Sequence, residues 1–225
     1  KPSVAISIAK VIGANKKKNG YYEGNGYRVS WCVGHLIQMA NPDAYDEKYA
    51  KWNITDLPIV PKNYKYEIAK STRKQFNILK KLMNDKEIDS VINACDAGRE
   101  GESIFRLVYN EAKCKKKMKR LWISSMEDSA IKEGFDNLKD GKDYDNLFES
   151  AQARAIADWL VGMNISRLYS CLYQQNYSVG RVQTPTLAMI VKRDDEVANF
   201  KKEKYYTVEL STNGFTLSTD RINDE

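Results

Sequence analysis

With 225 residues the chain has room for one large domain or two modest ones, and a 42% hydrophobic content supplies a core. A net charge of +6 favours anionic partners, while a single histidine, His35, argues against a histidine metal cage or a Ser-His-Asp triad. Four cysteines lack the paired spacing of a zinc site or disulfide framework, and no apolar run is long enough to span a bilayer.

Pro2 in a first turn, followed by Val4, Ile6, Ile8, Ala9 and Ile12, predicts a helix. Tyr27, Val29, Trp31 and Val33 alternate with Arg28, Ser30 and Cys32, the period of a strand, and Gly34-His35 follows. Residues 41–62 are polar and rich in tyrosine and proline, which reads as an irregular connection. Thr72, Phe76, Leu79 and Met83 mark a helix stripe leading to an apolar strand over 88–95. After the turn Asp96-Ala97-Gly98-Arg99-Glu100-Gly101-Glu102, a helix carries Ile104, Phe105 and Val108. Lys113, Lys115, Lys116, Lys117, Lys119 and Arg120 then crowd a segment that reads as a solvated loop before a short strand over 120–124. Ser125-Met126-Glu127-Asp128 has the form of a capping box, and Ile131, Phe135 and Leu138 give its helix one buried face. Strands alternating with helices predict an α/β fold, with a mostly parallel sheet covered on both faces. In this setting Cys32 and Cys95 are reduced thiols packed as small hydrophobes, which fits a cytosolic protein.

The character changes near Gly141-Lys142-Asp143. Residues 147–170 are helical throughout, with Phe148, Ala151, Ala155, Trp159 and Met163 as the buried seam. A loop over 173–182 precedes a helix with Thr184 as N-cap and Pro185 at the first helical position. Residues 205–210 and 214–218 then read as a hairpin.

Two groups of residues carry chemistry. Asp96 and Glu100 stand at the carboxyl end of a parallel strand, where open α/β sheets place ligands, and hard oxygen donors suit Mg²⁺. Arg99 between them offers a planar fork to a phosphate; the bland alternative is an acidic turn capping a helix. Further on, Arg154 and Asp158 share a helix face, either as an intrahelical ion pair or as part of a groove. Arg167 follows, and the loop Ser178-Val179-Gly180-Arg181-Val182-Gln183-Thr184 permits close backbone approach beside a helix N-terminus. Arginine, glutamine and helix amides on one groove are the makeup of a nucleic-acid backbone site. Trp52, Tyr169, Tyr173 and Tyr177 offer rings on which bases stack, with ordinary packing as the alternative.

On these residues the chain resembles the N-terminal part of the type IA DNA topoisomerases, in their bacterial topoisomerase III branch. Six stretches carry the likeness: Lys1-Pro2-Ser3-Val4-Ala5, Trp31-Cys32-Val33-Gly34-His35-Leu36, Pro42-Asp43-Ala44-Tyr45-Asp46, the acidic turn 96–102, Ala153-Arg154 with Ala157-Asp158-Trp159-Leu160, and 178–185. The resemblance implies a Toprim fold over residues 1–142 whose first strand lies upstream, a helical DNA-binding segment over 143–203, and the start of an arch-like β domain over 204–225. It implies an enzyme that cuts one DNA strand with a tyrosine, holds the 5′-phosphate covalently, passes another strand and reseals without ATP. Asp96 and Glu100 would bind Mg²⁺, with Lys1, Arg99 and Glu100 at the scissile phosphate. His35, Trp52, Arg154, Asp158, Arg167, Ser178, Val179, Gly180, Arg181, Val182 and Gln183 would line the groove. The implied partner is single-stranded DNA, for a monomeric cytoplasmic protein associated with nucleoid or plasmid DNA and no membrane.

Three departures from the family pattern stand out. Gly98 replaces the middle acid of Asp-x-Asp-x-Glu, leaving Asp96, Glu100 and Glu102 as the acids of the turn. The family's first glutamate would precede Lys1, and its nucleophilic tyrosine would follow Glu225; no tyrosine present matches that motif. The chain is therefore read as a fragment that binds single-stranded DNA weakly and does not cleave it, with the acidic turn and the Arg181–Gln183 loop facing each other across a channel. The rival readings are a primase or nuclease built on the same turn, which would lack the Arg154/Asp158 helix, and a non-catalytic nucleic-acid module.

Overall fold

The computed structural model describes residues 1–223, which fall into two units, Lys1–Gly180 and Arg181–Glu225, each described by itself. Helix α1 (Pro2–Val11) begins with proline in its first turn and buries Ala5, Ile8 and Ala9. A meander follows: β1 (Lys16–Lys18), β2 (Tyr21–Gly24) and β3 (Tyr27–Ser30), antiparallel throughout. Its second turn is Asn25-Gly26, both at positive φ (46° and 75°), the pairing that matches the twist of a two-residue hairpin. The strand stops at Ser30, short of the predicted Val33. There the Gln75 amide takes over, donating to Ser30 Oγ at 3.1 Å and to the Trp31 carbonyl at 2.9 Å.

Strand β4 (Ile37–Met39) pairs antiparallel with β5 (Tyr66–Ile68), and the connection between them holds three single 3₁₀ turns, as irregular as its composition suggests. Helix α2 (Arg73–Met83) leads into β6 (Ser90–Asn93), α3 (Arg99–Glu111) and β7 (Lys117–Arg120). Strands β6 and β7 are parallel, with Ser90 opposite Lys117 and Asn93 opposite Arg120. After α4 (Asp128–Asp136), β8 (Lys139–Asp140) joins antiparallel on the far side of β7. Alternation along β6 sends Val91 into a cluster with Phe76, Leu79, Phe105 and Val108 of α2 and α3. Its neighbour Ile92 points the other way, toward Ile8, Leu121 and Ile131, so helices cover both faces.

Two local expectations are corrected here. The lysine run is not a loop, because Lys117–Arg120 is the strand β7 itself. Cys114, Met118 and Arg120 turn inward while Lys113, Lys115 and Lys117 stay in water, and Lys116 Nζ donates to the Asp85 and Ile88 carbonyls. The Ser125 capping box does not form either. Ser125 Oγ accepts from the Glu127 amide, Glu127 is the N-cap of α4, and no side chain caps that helix.

Among the described residues β3 and β6 are each the last strand of their sheet, and both border a cavity of about 420 Å³. Val4, Ile8, Leu79, Ile104, Phe105 and Val108 supply its apolar walls. Folded proteins ordinarily pair or cover open strand edges, and here two of them border the same cavity.

Helix α5 (Asp145–Tyr173) packs on α3 and runs 29 residues. Of its expected seam, Ala151 and Trp159 are buried and Phe148, Ala155 and Met163 half-buried. Polar side chains tie it to the irregular connection. Trp159 Nε1 donates to the Ala40 carbonyl at 3.0 Å, and Asn164 brackets Ile59, accepting its amide and donating to its carbonyl. In the second unit, α6 (Gln183–Ala198) starts before the predicted Thr184 cap, with Val182 as N-cap and its carbonyl accepting from the Thr186 amide. Pro185 therefore lies in the first turn rather than at its first position, where its missing N–H still costs nothing. Strands β9 (Tyr205–Tyr206), β10 (Glu209–Thr212), β11 (Phe215–Ser218) and β12 (Ile222–Asn223) close the described chain, β10 with β11 forming the expected hairpin and β9 pairing with β12.

Candidate functional site

Strand β6 ends at Asn93, and the chain turns through Asp96 and Gly98, the N-cap of α3. Glu100 and Glu102 fall in the first turn of that helix, where the macrodipole favours acids. Their fates differ. The Asp96 and Glu100 side chains are 65% and 74% exposed, whereas Glu102 is 1% exposed. Lys1 Nζ lies 3.3 Å from Asp96 Oδ2, and His35 Nε2 lies 3.1 Å from Glu100 Oε2. Two pairs, Lys1 with Asp96 and His35 with Glu100, thus stand on the turn at the carboxyl end of β6, and Arg99, between the two acids in sequence, is exposed.

Two glycines in the turn have opposite roles. A Cβ on Gly101 would sit 2.0 Å from the Asp96 carbonyl oxygen and 2.8 Å from its amide nitrogen, so only glycine lets α3 approach the turn this closely. A Cβ on Gly98 would meet nothing within 4 Å. Behind the turn, the half-buried Cys32 and Cys95 thiols interact; that interaction and burial push Cys32 up, and the same interaction lowers Cys95.

Beneath the exposed groups lies a buried polar cluster that the sequence reading did not assign. Glu102 Oε1 accepts from Arg106 Nε at 2.9 Å, and Oε2 accepts from Asn93 Nδ2 at 2.8 Å. The Nε of Arg120 is 3.1 Å from Glu102 Oε2, an ion pair without hydrogen-bond geometry. Arg120 Nη1 donates to the carbonyls of Asn93, Cys95 and Leu121, and Nη2 to that of Asp96 at 2.8 Å. Burial pushes the Arg120 pKa down, and the Glu102 charge opposes that shift. The available signals were the i,i+4 spacing of Glu102 and Arg106 and the inward register of Arg120.

Donor chemistry suits Mg²⁺ held by few protein ligands. Asp96 and Glu100 are hard, exposed carboxylates, and among the described residues no group of three or more His, Cys, Asp or Glu is placed to hold a metal. Mg²⁺ characteristically takes one or two carboxylates and keeps several waters.

Other expected site residues are distributed along α5 and past it. Arg154 and Asp158 are exposed on α5. Ser178, Val179 and Gly180 lie in the loop after α5, which is stapled back to that helix: Ser166 Oγ accepts from the Val179 amide and donates to its carbonyl, and Ser170 does the same for Tyr177. Arg181, Val182 and Gln183 open the second unit. Arg167 differs from the others in its burial. It is buried, Nη1 donates to the Tyr49 carbonyl at 2.9 Å, and its guanidinium lies 5.2 Å from the Trp52 ring centroid. Burial lowers its pKa, and its bond to the Tyr49 carbonyl ties α5 to the irregular connection. Trp52 itself, Tyr169, Tyr173 and Tyr177 are exposed, and the Tyr169 and Tyr173 rings stack at 6.1 Å.

A parallel strand pair covered by helices, with carboxylates at its carboxyl end, defines a Toprim-type domain. The Toprim domain model matches residues 1–126, and the chain belongs to that family. A second family model, DNA topoisomerase, matches residues 142–225. DNA topoisomerase 3 of Bacillus cereus is 50% identical over 212 residues, covering 94% of this chain and 29% of the relative. Those of Bacillus licheniformis and Staphylococcus epidermidis are each 47% identical over 218 residues, covering 97% of this chain and 30% and 31% of the relatives. The chain therefore spans less than a third of these curated relatives' length. Full-length topoisomerase I of Thermotoga maritima shares the fold at a TM-score of 0.64 and 23% identity, over 100% of this chain and 35% of that one.

Proposed function

We propose that the chain is the phosphate- and metal-facing part of a type IA DNA topoisomerase of the topoisomerase III branch. The observation that carries this reading is the convergence of Lys1, His35, Asp96 and Glu100 at the end of β6. In the reaction proposed, a tyrosine oxygen beyond Glu225 attacks the scissile phosphorus. The Tyr O–P bond forms, the P–O bond to the 3′ oxygen breaks, and that oxygen leaves as a 3′-hydroxyl with the proton given up by the tyrosine. Rejoining reverses both bond changes, so the phosphodiester energy is kept and no ATP is spent. Lys1, beside Asp96, and the exposed Arg99 would neutralise the phosphate, and His35, 3.1 Å from Glu100 Oε2, would hold that carboxylate in place. Asp96 and Glu100 would hold Mg²⁺, which when bound supplies positive charge at that phosphate. The same reading puts a strand ahead of Lys1 between β3 and β6, and the open edges and cavity there support it. In the first unit Arg154 and Asp158 of α5, and in the second unit, taken by itself, Arg181 and Gln183, are the residues this reading assigns to single-stranded DNA.

The chain itself should bind single-stranded DNA and leave it uncut. Incubation with a labelled oligonucleotide and Mg²⁺ should yield no covalent adduct after denaturation; an adduct would place the nucleophile inside residues 1–225. Affinity for the oligonucleotide should fall steeply with salt, because counterion release drives backbone binding. Arg181→Ala should weaken it by about 1–3 kcal/mol, through loss of charge-assisted bonds to phosphate. An unchanged dissociation constant in a fluorescence-anisotropy titration removes Arg181 from the groove.

Gly98→Asp tests the acidic site separately. Open space around the position admits the side chain without displacing backbone, and the new carboxylate raises the local oxygen-donor count. Mn²⁺ affinity, followed by water-proton relaxation, should rise about tenfold. Unaltered affinity with an unaltered fold would show that the turn is not where the metal sits.

A further inference from the structure

We infer that Glu102 is a positioning residue of the acidic site, acting through Arg120 on the backbone of Asp96. The inference rests on the metal- and phosphate-binding reading of Asp96 and deepens it. Asp96 is held by its backbone and not by its side chain, which stands in solvent beside Lys1. Arg120 supplies that hold, because one guanidinium gathers the carbonyls of Asn93, Cys95 and Asp96 at the point where β6 ends. Three carbonyls that would otherwise fan out along the turn are tied to a single rigid plane.

An arginine with a fully buried side chain cannot keep this arrangement without a counter-charge. Glu102 provides it from the first turn of α3, and the Asn93 amide and Arg106 Nε fix the carboxylate in turn. Arg106 continues outward to Asp145 and the Gly141 carbonyl. The third acid of the turn is therefore no ligand. It faces inward, and its effect on the exposed pair runs through Arg120 to the Asp96 carbonyl. Gly101 closes the same carbonyl from the other side.

The test uses the full 225-residue chain and two readouts, amide hydrogen exchange over residues 96–101 and Mn²⁺ affinity by proton relaxation. Wild type, Glu102→Gln, Arg120→Lys and Asp96→Asn are compared, with circular dichroism and the exchange of α5 amides reporting global folding. Both network variants should stay folded, exchange the turn amides about tenfold faster, and bind Mn²⁺ as weakly as Asp96→Asn. A purely structural role would lower overall stability and leave the affinity of the folded fraction unchanged. Folded variants with wild-type turn exchange, or with wild-type Mn²⁺ affinity, overturn the inference. If the single variants unfold, the charge-neutral pair Glu102→Gln with Arg120→Met removes both buried ions together and restores the fold; a turn that stays protected in that protein is equally fatal. Should wild type bind no Mn²⁺, the metal reading fails, and turn exchange alone decides the positioning role.

Discussion

Joining an apolar strand of about five residues ahead of Lys1 is expected to raise the melting temperature by about 10 °C. Two strand edges, β3 and β6, border the cavity of about 420 Å³, and each exposes a row of backbone donors and acceptors. A strand between them satisfies both rows and merges the two three-stranded sheets into one. Burying each apolar side chain contributes about 1.5–3 kcal/mol, against about 1–2 kcal/mol for ordering its backbone. Over five residues the balance is about 3–5 kcal/mol, and a chain of this size gains about 2–4 °C for each. Because Lys1 lies at Asp96, the strand would also deliver its last residue to the acidic site. Scanning calorimetry of the extended chain, beside one whose added residues are lysine and aspartate, checks the effect. Equal melting temperatures for the two extensions would mean that the cavity does not accept a strand.

The second large effect belongs to Gly101→Ala. Alanine is the better helix former by about 1 kcal/mol, so propensity alone predicts a gain. Sterics reverse the sign: the new methyl would lie 2.0 Å from a backbone oxygen, and backbone pinned by Arg120 has no easy direction in which to yield. Overpacking of this kind costs about 1–3 kcal/mol or more, which lowers the melting temperature by about 5–10 °C. Displacing the Asp96 carbonyl should also weaken Mn²⁺ binding. Gly98→Ala is the internal control, since its methyl enters open space and should leave melting within about 1–2 °C of wild type. Thermal melts of the two variants side by side suffice, and a Gly101→Ala protein as stable as wild type contradicts the packing argument.

Periodic signals in the chain translated directly into structure. The stripe Phe76, Leu79, Met83 became α2, the run over 88–95 holds β6, and alternating apolar residues around Gly214 became the β10–β11 hairpin. Capping chemistry was less reliable: Ser125 takes the Glu127 amide two residues on instead of capping α4, and α6 begins at Gln183, ahead of Thr184, with Val182 as its N-cap. Charge misled most where a strand was hidden in it. The alternation Cys114, Met118, Arg120 is a two-residue period written partly in a charged residue, and a hydrophobicity count over 113–120 sees only lysines.

Arg167 and Glu102 show the same limit at the level of single residues. By residue type both belong at a surface site, and both are buried because a partner distant in sequence or register exists to receive them. For Arg167 that partner is the Tyr49 carbonyl, and for Glu102 it is the pair Arg106 and Arg120. Conversely, nothing in the spacing of residues 35 and 100 foretold their contact; it follows from how the connection after β3 meets the start of α3.

Sequence alone determined the α/β class, the strand–turn–helix around Asp96, the family resemblance and the small set of residues worth testing. Those depend on periodicity and local chemistry, which a linear chain carries in full. Tertiary structure alone decided which acids face water and which face an arginine, which arginine is an anchor, and that Lys1 and His35 meet the turn. Such choices are made by burial and by contacts between distant segments, whose energies exist only once the chain has closed on itself.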